Sequence, residues 1–176
     1  MKQLLIVLTL ILTLSCCKDD DVTPINPIDQ LPPATQIGAN TFGCLLDGKA
    51  FLPDNSSNSY NCFYQFVSNE FYFTVRASNR DENLNSYSLA IKTEQKQIFE
   101  GETYPLVNNI PTKAYGSYSL VNMFSYTNLV NTGELTITEL DPTNQIVSGT
   151  FWYDIKDHNN VVHHIREGRF DMHYTQ

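Results

Sequence analysis

Three side chains near the C-terminus have the chemistry of zinc ligands, and their geometry depends on one turn. If Glu167 and Gly168 form a two-residue hairpin turn, the strands on either side of it pair. His164 then lies opposite Asp171, with His173 diagonal to it on the same face, as a zinc site would need. If Gly168 is instead a bulge in one long strand, the two histidines lie roughly 30 Å apart and no site forms. Two arginines on that face would repel a cation, so we predict no metal site.

The chain carries no motif for covalent or acid–base catalysis. Both G-x-S-x-G and H-E-x-x-H are absent. Asp154 and Asp157 are close in sequence, but they flank a predicted turn, where aspartate is favoured because its side chain bonds to the backbone. His163 shares the apolar face of its strand with Ile165 and Phe170, which predicts a hydrogen-bonded core residue. We therefore predict no catalytic residue and no cofactor.

Cys44 and Cys62 each lie in a predicted strand of an exported domain. A disulfide is chemically permitted there, and closing a loop of this length would contribute about 3 kcal/mol in the chain-entropy model. The bridge requires strand pairing to bring the two Cα atoms within about 7 Å. Two small buried hydrophobic residues are the alternative, and the sequence leaves both open.

Aromatic side chains are abundant, at 12% of the chain, and two of them fall on polar strand faces. Tyr72 and the only tryptophan, Trp152, alternate with apolar residues that point the other way. An exposed ring on such a face offers a flat surface on which a sugar ring can stack, so Tyr72 and Trp152 are candidate ligand contacts. We expect instead that a loop or a second layer covers Trp152.

The N-terminus has the pattern of a secretory signal peptide. Residues 4–14 are almost wholly apolar and follow Lys2, but 11 helical residues extend only about 16 Å, too short to span a bilayer. Ser15-Cys16-Cys17 follows and resembles a bacterial lipobox, in which a cysteine becomes the lipid-carrying first mature residue. We predict a signal peptide over residues 1–15 and lipid attachment at Cys16, with Cys17 as the alternative.

The resemblance to a lipobox implies a stable membrane anchor. Bacterial lipoproteins of this type carry three acyl chains, and two or more chains hold a protein firmly to a membrane. The sequence "KDDD" at residues 18–21 resembles the acidic export signal of Bacteroidota lipoproteins. We therefore predict an outer-membrane protein, lipid-anchored and exposed at the cell surface.

A proline-rich stretch separates the lipid site from the folded part. Residues 18–40 contain four prolines among polar residues without a period, which predicts an extended tether over residues 16–40. One folded domain then covers residues 41–176. The net charge of −8 excludes nucleic acid as a partner, because binding to phosphates needs basic clusters.

Hydrophobic alternation with a period of two runs through the folded part. "FYFTVRAS" at residues 71–78 and "GELTITEL" at residues 133–140 are examples, rich in aromatic and β-branched residues. Turn residues such as Asp47-Gly48 separate these runs, mostly every 8 to 15 residues. We predict an all-β fold, a single antiparallel β-sandwich or flattened β-barrel.

Both ends of the folded part resemble one family. "NTFGCLLDGKAF" at residues 40–51, "GELTITELDPTNQIVSGTFWYDI" at residues 133–155 and "EGRFDMHY" at residues 167–174 resemble small Bacteroidota outer-membrane lipoproteins. Those proteins pair an early hairpin with a late one. The resemblance implies a place in the cell envelope and no particular activity, because the family has no established reaction.

These observations predict a surface-exposed, lipid-anchored module that binds a glycan or an envelope partner protein and catalyses no reaction. A structural accessory subunit of an envelope complex is the alternative, and a hydrolase is the third class. Exposed aromatic rings would indicate a binding module, and an uncovered apolar sheet edge an accessory subunit. A pocket with convergent titratable groups would indicate an enzyme.

Overall fold

The computed structural model describes residues 25–54, 56, 59–80, 84–121 and 123–176. The predicted signal peptide, Cys16 and Cys17 lie outside these residues. In the described part, one 3-10 helix (Pro27–Gln30) precedes eleven strands. The strands are β1 (Thr41–Leu46), β2 (Lys49–Phe51), β3 (Tyr60–Val67), β4 (Glu70–Arg80), β5 (Ser86–Thr93), β6 (Thr103–Leu106), β7 (Ala114–Leu120), β8 (Met123–Tyr126), β9 (Gly133–Asp141), β10 (Ile146–Lys156) and β11 (Val162–His173).

All eleven strands belong to one sheet that does not close on itself. The order is β2-β1-β11-β10-β9-β6-β7-β5-β4-β3, and β8 pairs with β7 beside this path. Neighbouring strands are antiparallel except β6 and β7, which are parallel. The all-β prediction is confirmed, and the architecture is a single, mostly antiparallel sheet. No helix in the described ranges is both long and apolar enough to cross a membrane.

Alternating residues give the sheet its buried face. On β4, Phe73, Val75 and Ala77 are fully buried, as the period of two predicts. Leu135 and Ile137 repeat this pattern on β9. The aromatic rings of the buried face pack on one another in tilted and T-shaped pairs, among them Phe42–Phe51, Phe42–Phe151 and Phe73–Phe170.

Two-residue turns fix the register of two hairpins. Asp47-Gly48 joins β1 to β2 and Ser68-Asn69 joins β3 to β4, and all four residues have positive φ. Two successive positive φ values define the turn whose twist matches paired strands, which explains the choice of Asp, Asn and Gly. Val67 therefore pairs directly with Glu70, and each later pair follows in step.

The segment before β1 is folded onto the sheet, in contrast to the extended tether predicted over residues 16–40. Asn26 caps the 3-10 helix, and Leu31 is buried. Residues 35–39 then wrap around Asp171 on β11, which is fully buried. A buried carboxylate needs donors, and this segment supplies four of them. Within the described residues, this segment is therefore packed on the sheet, and residues 16–24 of the predicted tether lie outside them.

The Asp171 carboxylate holds that segment in place. Its Oδ2 accepts hydrogen bonds from Thr35 Oγ1 (2.6 Å) and from the Ile37 and Ala39 amides (both 3.1 Å). Its Oδ1 accepts from the Gly38 amide and from Ser148 Oγ, both at 2.8 Å. Burial alone would raise the pKa of Asp171, but these donors lower it to about 2.

The possible zinc triad does not form, because β11 is one continuous strand with a bulge. Glu167 has a φ of 54°, and the ladder with β10 shifts register between Phe151 and Tyr153. His164 and His173 therefore lie near opposite ends of β11, and Asp171 is committed to the N-terminal segment. In the part of the chain that the structure describes, no three His, Cys, Asp or Glu side chains are placed to hold a metal ion.

The possible disulfide is also not formed. Cys44 on β1 and Cys62 on β3 are both free and buried in the core. Burial raises the pKa of both thiols, because the charged thiolate is disfavoured away from water. Each cysteine acts as a small hydrophobic residue, which was the alternative left open by the sequence.

Candidate functional site

Trp152 lies on the outer face of β10 and is partly exposed, at 37% of its surface. Within the described residues no loop or second layer buries it, so the expectation of a covered ring is wrong. Phe151 and Tyr153 on either side point into the core and are buried. A partly exposed indole between two core residues is the first feature of the candidate site.

The neighbouring strands fix the orientation of the indole. Trp152 pairs directly with Glu134 on β9, and its Nε1 donates a hydrogen bond of 3.1 Å to Glu134 Oε2. On the other side, the β11 bulge brings Arg166 beside the ring, with the guanidinium carbon 5.3 Å from the ring centre. A cation over an aromatic face is attracted by the ring quadrupole. The ring is therefore held at its edge and on one face.

Arg166 is itself fixed by the backbone and by a carboxylate. It donates hydrogen bonds to the carbonyl oxygens of Tyr153 (3.1 Å) and Ile165 (2.8 Å), and it pairs with Asp154. His164 Nδ1 lies 2.7 Å from the same Asp154 oxygen. Desolvation would raise the pKa of Asp154, but hydrogen bonds from His164 and Arg166 hold that pKa below its usual value. The guanidinium can therefore form a stable support for the indole.

Trp152 lines an open groove of about 520 Å³, which we call the Trp152 groove. The residues that line it come from β9, β10 and β11 and from one position of the N-terminal segment: Ala34, Glu134, Thr136, Thr150, Phe151, Trp152, Arg166, Glu167, Gly168 and Arg169. Two arginines and two glutamates balance the charge, although the whole chain carries −8. The groove therefore suits a polar ligand that has one apolar face. The fixed aromatic ring can contact the apolar face, and the hydroxyls and charged groups can bind the polar groups.

Close packing at one glycine supports the floor of this groove. Gly168 pairs with Phe151, and a Cβ built on Gly168 would lie 2.4 to 2.6 Å from the Phe151 ring. The Phe151 ring is buried and therefore cannot move aside at low cost. The glycine is required for the ring to pack directly against β11 beside the bulge.

Tyr72, the other predicted ligand contact, does not join the Trp152 groove. It is half-buried on β4, opposite Gln65 of β3. Four strands, β5, β7, β6 and β9, separate β4 from β10 in the sheet. The two aromatic residues chosen from the sequence therefore belong to different parts of the molecule.

His163 lies at the rim of the core, between two carboxylates. Its Nδ1 is 2.7 Å from Asp47 Oδ2, and its Nε2 is 3.6 Å from Asp157 Oδ2. Its ring packs on Tyr118 at 4.7 Å. His163 is thus hydrogen-bonded, as its position on the apolar strand face predicted. Its contacts connect the β1–β2 turn to the β10–β11 loop.

A second groove, which the sequence analysis missed, lies beside the edge strand β3. This Phe66 groove has a volume of about 700 Å³ and is lined mostly by apolar side chains: Tyr64, Gln65, Phe66, Val67, Phe71, Gln97, Ile98, Phe99, Leu140, Pro142, Tyr174 and Gln176. Phe66 and Phe99 are 59% and 51% exposed. The sequence held one signal of it, since Phe66 lies on the same strand face as Tyr64 and the buried Cys62.

Comparison of the chain with protein-family models, curated proteins and solved structures gives no match. The geometry of the two grooves therefore carries the functional argument.

Proposed function

We propose that this protein is a lipid-anchored module of the bacterial cell envelope that binds a glycan in the Trp152 groove. The observation that carries the proposal is the partly exposed indole, held at its edge by Glu134 and on one face by Arg166. An indole that is already oriented loses little conformational freedom when a ligand stacks on it. Sugar rings present an apolar C–H face to such a surface, which complements the negative face of an aromatic ring.

Polar groups around the ring would set the orientation of the sugar. Thr150 lies directly opposite both Arg169 on β11 and Thr136 on β9, in a row across the groove. Arginine donates hydrogen bonds, threonine both donates and accepts, and the Glu134 carboxylate accepts them. Sugar hydroxyls also donate and accept. The balanced charge of the groove favours a glycan without a high density of charge.

Tryptophan fluorescence tests the proposal directly, because Trp152 is the only tryptophan in the chain. The purified domain is screened on an array of plant, host and bacterial glycans, and each hit is titrated while the emission of Trp152 is followed. We expect Trp152→Ala to abolish binding, and Trp152→Phe, which keeps an aromatic ring, to retain part of it. Glu134→Gln should weaken binding about two- to fivefold, because an exposed polar contact contributes less than about 1 kcal/mol.

Tyr126→Ala is the matched control for these variants. Tyr126 is 39% exposed, close to the value for Trp152, and it lies on β8 outside the groove. The Tyr126→Ala variant should bind the same glycans as the unmodified protein. Binding that survives in Trp152→Ala, or emission that stays unchanged on saturation, would exclude the Trp152 groove as the glycan site.

The proposed anchor rests on residues 1–21 and has its own test. In cells fed a labelled fatty acid, Cys16→Ala should lose the label while Cys17→Ala keeps it. Loss of label only in Cys17→Ala would move lipid attachment to that residue. Protease treatment of intact cells should degrade the protein if it is exposed at the surface, and should spare it after residues 18–21 are replaced by neutral residues.

A further inference from the structure

The edge strand β3 carries backbone groups that face away from the sheet. Val67 and Glu70 close a two-residue hairpin, so Val67 exchanges hydrogen bonds with β4. Hydrogen bonding alternates along an antiparallel strand, and the amides and carbonyls of Cys62, Tyr64 and Phe66 therefore point outward. This outward row is where another strand could add to the sheet.

The chain itself uses two of the six groups in this row, through Thr175. The Thr175 amide donates to the Cys62 carbonyl (3.1 Å), and the Tyr64 amide donates to the Thr175 carbonyl (3.0 Å). Thr175 forms a single isolated bridge to Phe63, parallel to β3. The edge thus accepts extended backbone at Cys62 and Tyr64. The next groups along the row are the Tyr64 carbonyl and the amide and carbonyl of Phe66, and the described residues supply no backbone partner for them.

The Phe66 groove begins where this free backbone begins. The Phe66 ring packs on Phe71 at 4.7 Å, and Phe71 stacks on Tyr64 at 5.4 Å. The exposed ring of Phe99 lies across the groove, which is large enough for several side chains. Free backbone groups beside an apolar groove are the two elements of peptide recognition by strand addition, in which the backbone supplies affinity and the groove selects side chains.

Charge at the rim of the groove selects among peptides. Glu100 Oε2 accepts a hydrogen bond from the Leu140 amide (3.3 Å), and Asp141 lies between the groove residues Leu140 and Pro142. Burial raises the pKa of Tyr174, and the charge of Asp141 adds to the rise. Glu70 lies opposite Val67. Each of these three carboxylates is next in sequence to a residue that lines the groove, whereas Lys96, the neighbour of Gln97, lies over the Tyr104 ring at 5.2 Å. The rim is therefore net acidic.

We propose that an extended segment of another protein, with bulky apolar residues at alternate positions and basic residues beside them, adds to β3 at Tyr64–Phe66 and fills the Phe66 groove. In either strand direction the amide and carbonyl of Phe66 are available to it. A second copy of this chain fits less well, because its own β3 brings the same carboxylates, and Thr175 leaves only a short free edge. The proposal is independent of the glycan site, which lies elsewhere on the sheet.

The probe is the capped peptide Ac-KFVFK-NH2, whose two Phe side chains face one side when the peptide is extended. It is titrated into the isotope-labelled domain while the backbone amide signals are followed by NMR. We expect the largest shifts at residues 64–67 and 97–99, and saturation in the micromolar to millimolar range. Two control peptides follow, Ac-EFVFE-NH2 and a version of the probe with N-methylated backbone amides. Both should bind at least about tenfold more weakly.

Three variants separate the ring from the backbone. Phe66→Ala removes the ring and should weaken the peptide about tenfold. Phe66→Pro removes both the ring and the outward amide, and it should weaken peptide binding further. An edge strand tolerates proline where the amide faces away from the sheet. Phe124→Ala removes a ring of matched exposure, 56%, on β8 and should leave the affinity unchanged. The folded state of each variant is checked by its amide spectrum.

The outcomes are distinct. Shifts at residues 64–67 that require the basic flanks, the free amides and Phe66 support the proposal. An absence of shifts at millimolar peptide, or equal affinity in Phe66→Ala and Phe124→Ala, overturns it. A concentration-dependent dimer in sedimentation that Phe66→Ala dissociates also overturns it, because the occupant would then be a second copy.

Discussion

The Trp152 groove and the Phe66 groove are both lined by aromatic rings, but they are built in opposite ways. Trp152 stands on the outer face of interior strands, with partners on both sides and a charge balance close to zero. Phe66 stands on the edge strand, where its ring packs on Phe71 and its amide and carbonyl face away from the sheet. One groove presents a ring held by polar contacts, and the other presents an apolar gap beside unpaired backbone.

The difference shows what each kind of position can recognise. An interior strand has no free backbone, so its outer face can bind a ligand only through side chains. An edge strand offers backbone hydrogen bonds that any extended peptide can use. This difference is the reason that we propose a glycan for the Trp152 groove and an extended peptide for the Phe66 groove.

The largest expected effect on the free energy of unfolding comes from Asp171, whose carboxylate supports the Trp152 groove. Asp171 holds residues 35–39, next to the groove residue Ala34. Asp171→Asn replaces an acceptor of five hydrogen bonds by a group that must also donate, and we expect a loss on the order of 3 kcal/mol in the free energy of unfolding. Urea denaturation at pH 7 measures it, and glycan binding should weaken with it.

The pH dependence of this loss has a definite sign. The pKa of Asp171 is lowered from 3.8 to about 2, so its ionised form stabilises the folded state above about pH 4. The difference between the unmodified protein and Asp171→Asn should therefore shrink as the pH falls from about 4 to about 2. Asp141→Asn is the control, because Asp141 accepts its bonds within an exposed turn. An equal loss in both variants would show that Asp171 has no special role.

An intermediate effect is expected at Gly168, below the Trp152 groove. Gly168→Ala places a methyl group against the buried Phe151 ring and should cost about 1–3 kcal/mol of stability. Gly101→Ala is a control for glycine loss in general, since a Cβ there meets no atom within 4 Å, although its φ of 78° adds some strain. Thermal unfolding of the two variants compares them. A melting temperature of Gly168→Ala equal to that of the unmodified protein would indicate that Phe151 can move aside.

The smallest effect on folding should come from the two rings that define the grooves. Trp152→Ala and Phe66→Ala each remove a partly exposed side chain, and we expect each to change the free energy of unfolding by less than about 1.5 kcal/mol. Trp152→Ala should lose more, because its ring also contacts Arg166 and Glu134. A loss of 3 kcal/mol or more in either variant would identify that ring as part of the core and weaken the corresponding binding proposal.

Local patterns predicted the strands well. On β4, β9 and β10 the alternation identified residues that the structure buries, such as Val75, Ile137 and Tyr153. The turn at Asp47-Gly48 was also found, because its residues tolerate positive φ. Strand identity depends on neighbours within a few residues, and those neighbours are visible in the sequence.

Predictions about distant contacts were less successful. The prolines of residues 18–40 suggested an extended tether, but proline content does not reveal that a buried carboxylate on β11 needs the donors of residues 35–39. A bulge at Gly168 was one of two arrangements that the sequence allowed, and pairing with β10 decides for a bulge but places it just before Gly168, at Arg166 and Glu167. Trp152 was singled out because it lies on a polar strand face, but its exposure depends on whether another layer covers β10.

The sequence by itself determined the all-β class, the inner face of most strands and the choice of Trp152 as a candidate contact. Only the tertiary structure decided that Cys44 and Cys62 are free, that Tyr72 lies far from Trp152, and that β3 is an edge. The physical reason is that side-chain alternation is a local property with a period of two, whereas strand order depends on hydrogen bonds between segments far apart in the chain. Both grooves arise from that strand order, one on an interior strand and the other at the edge.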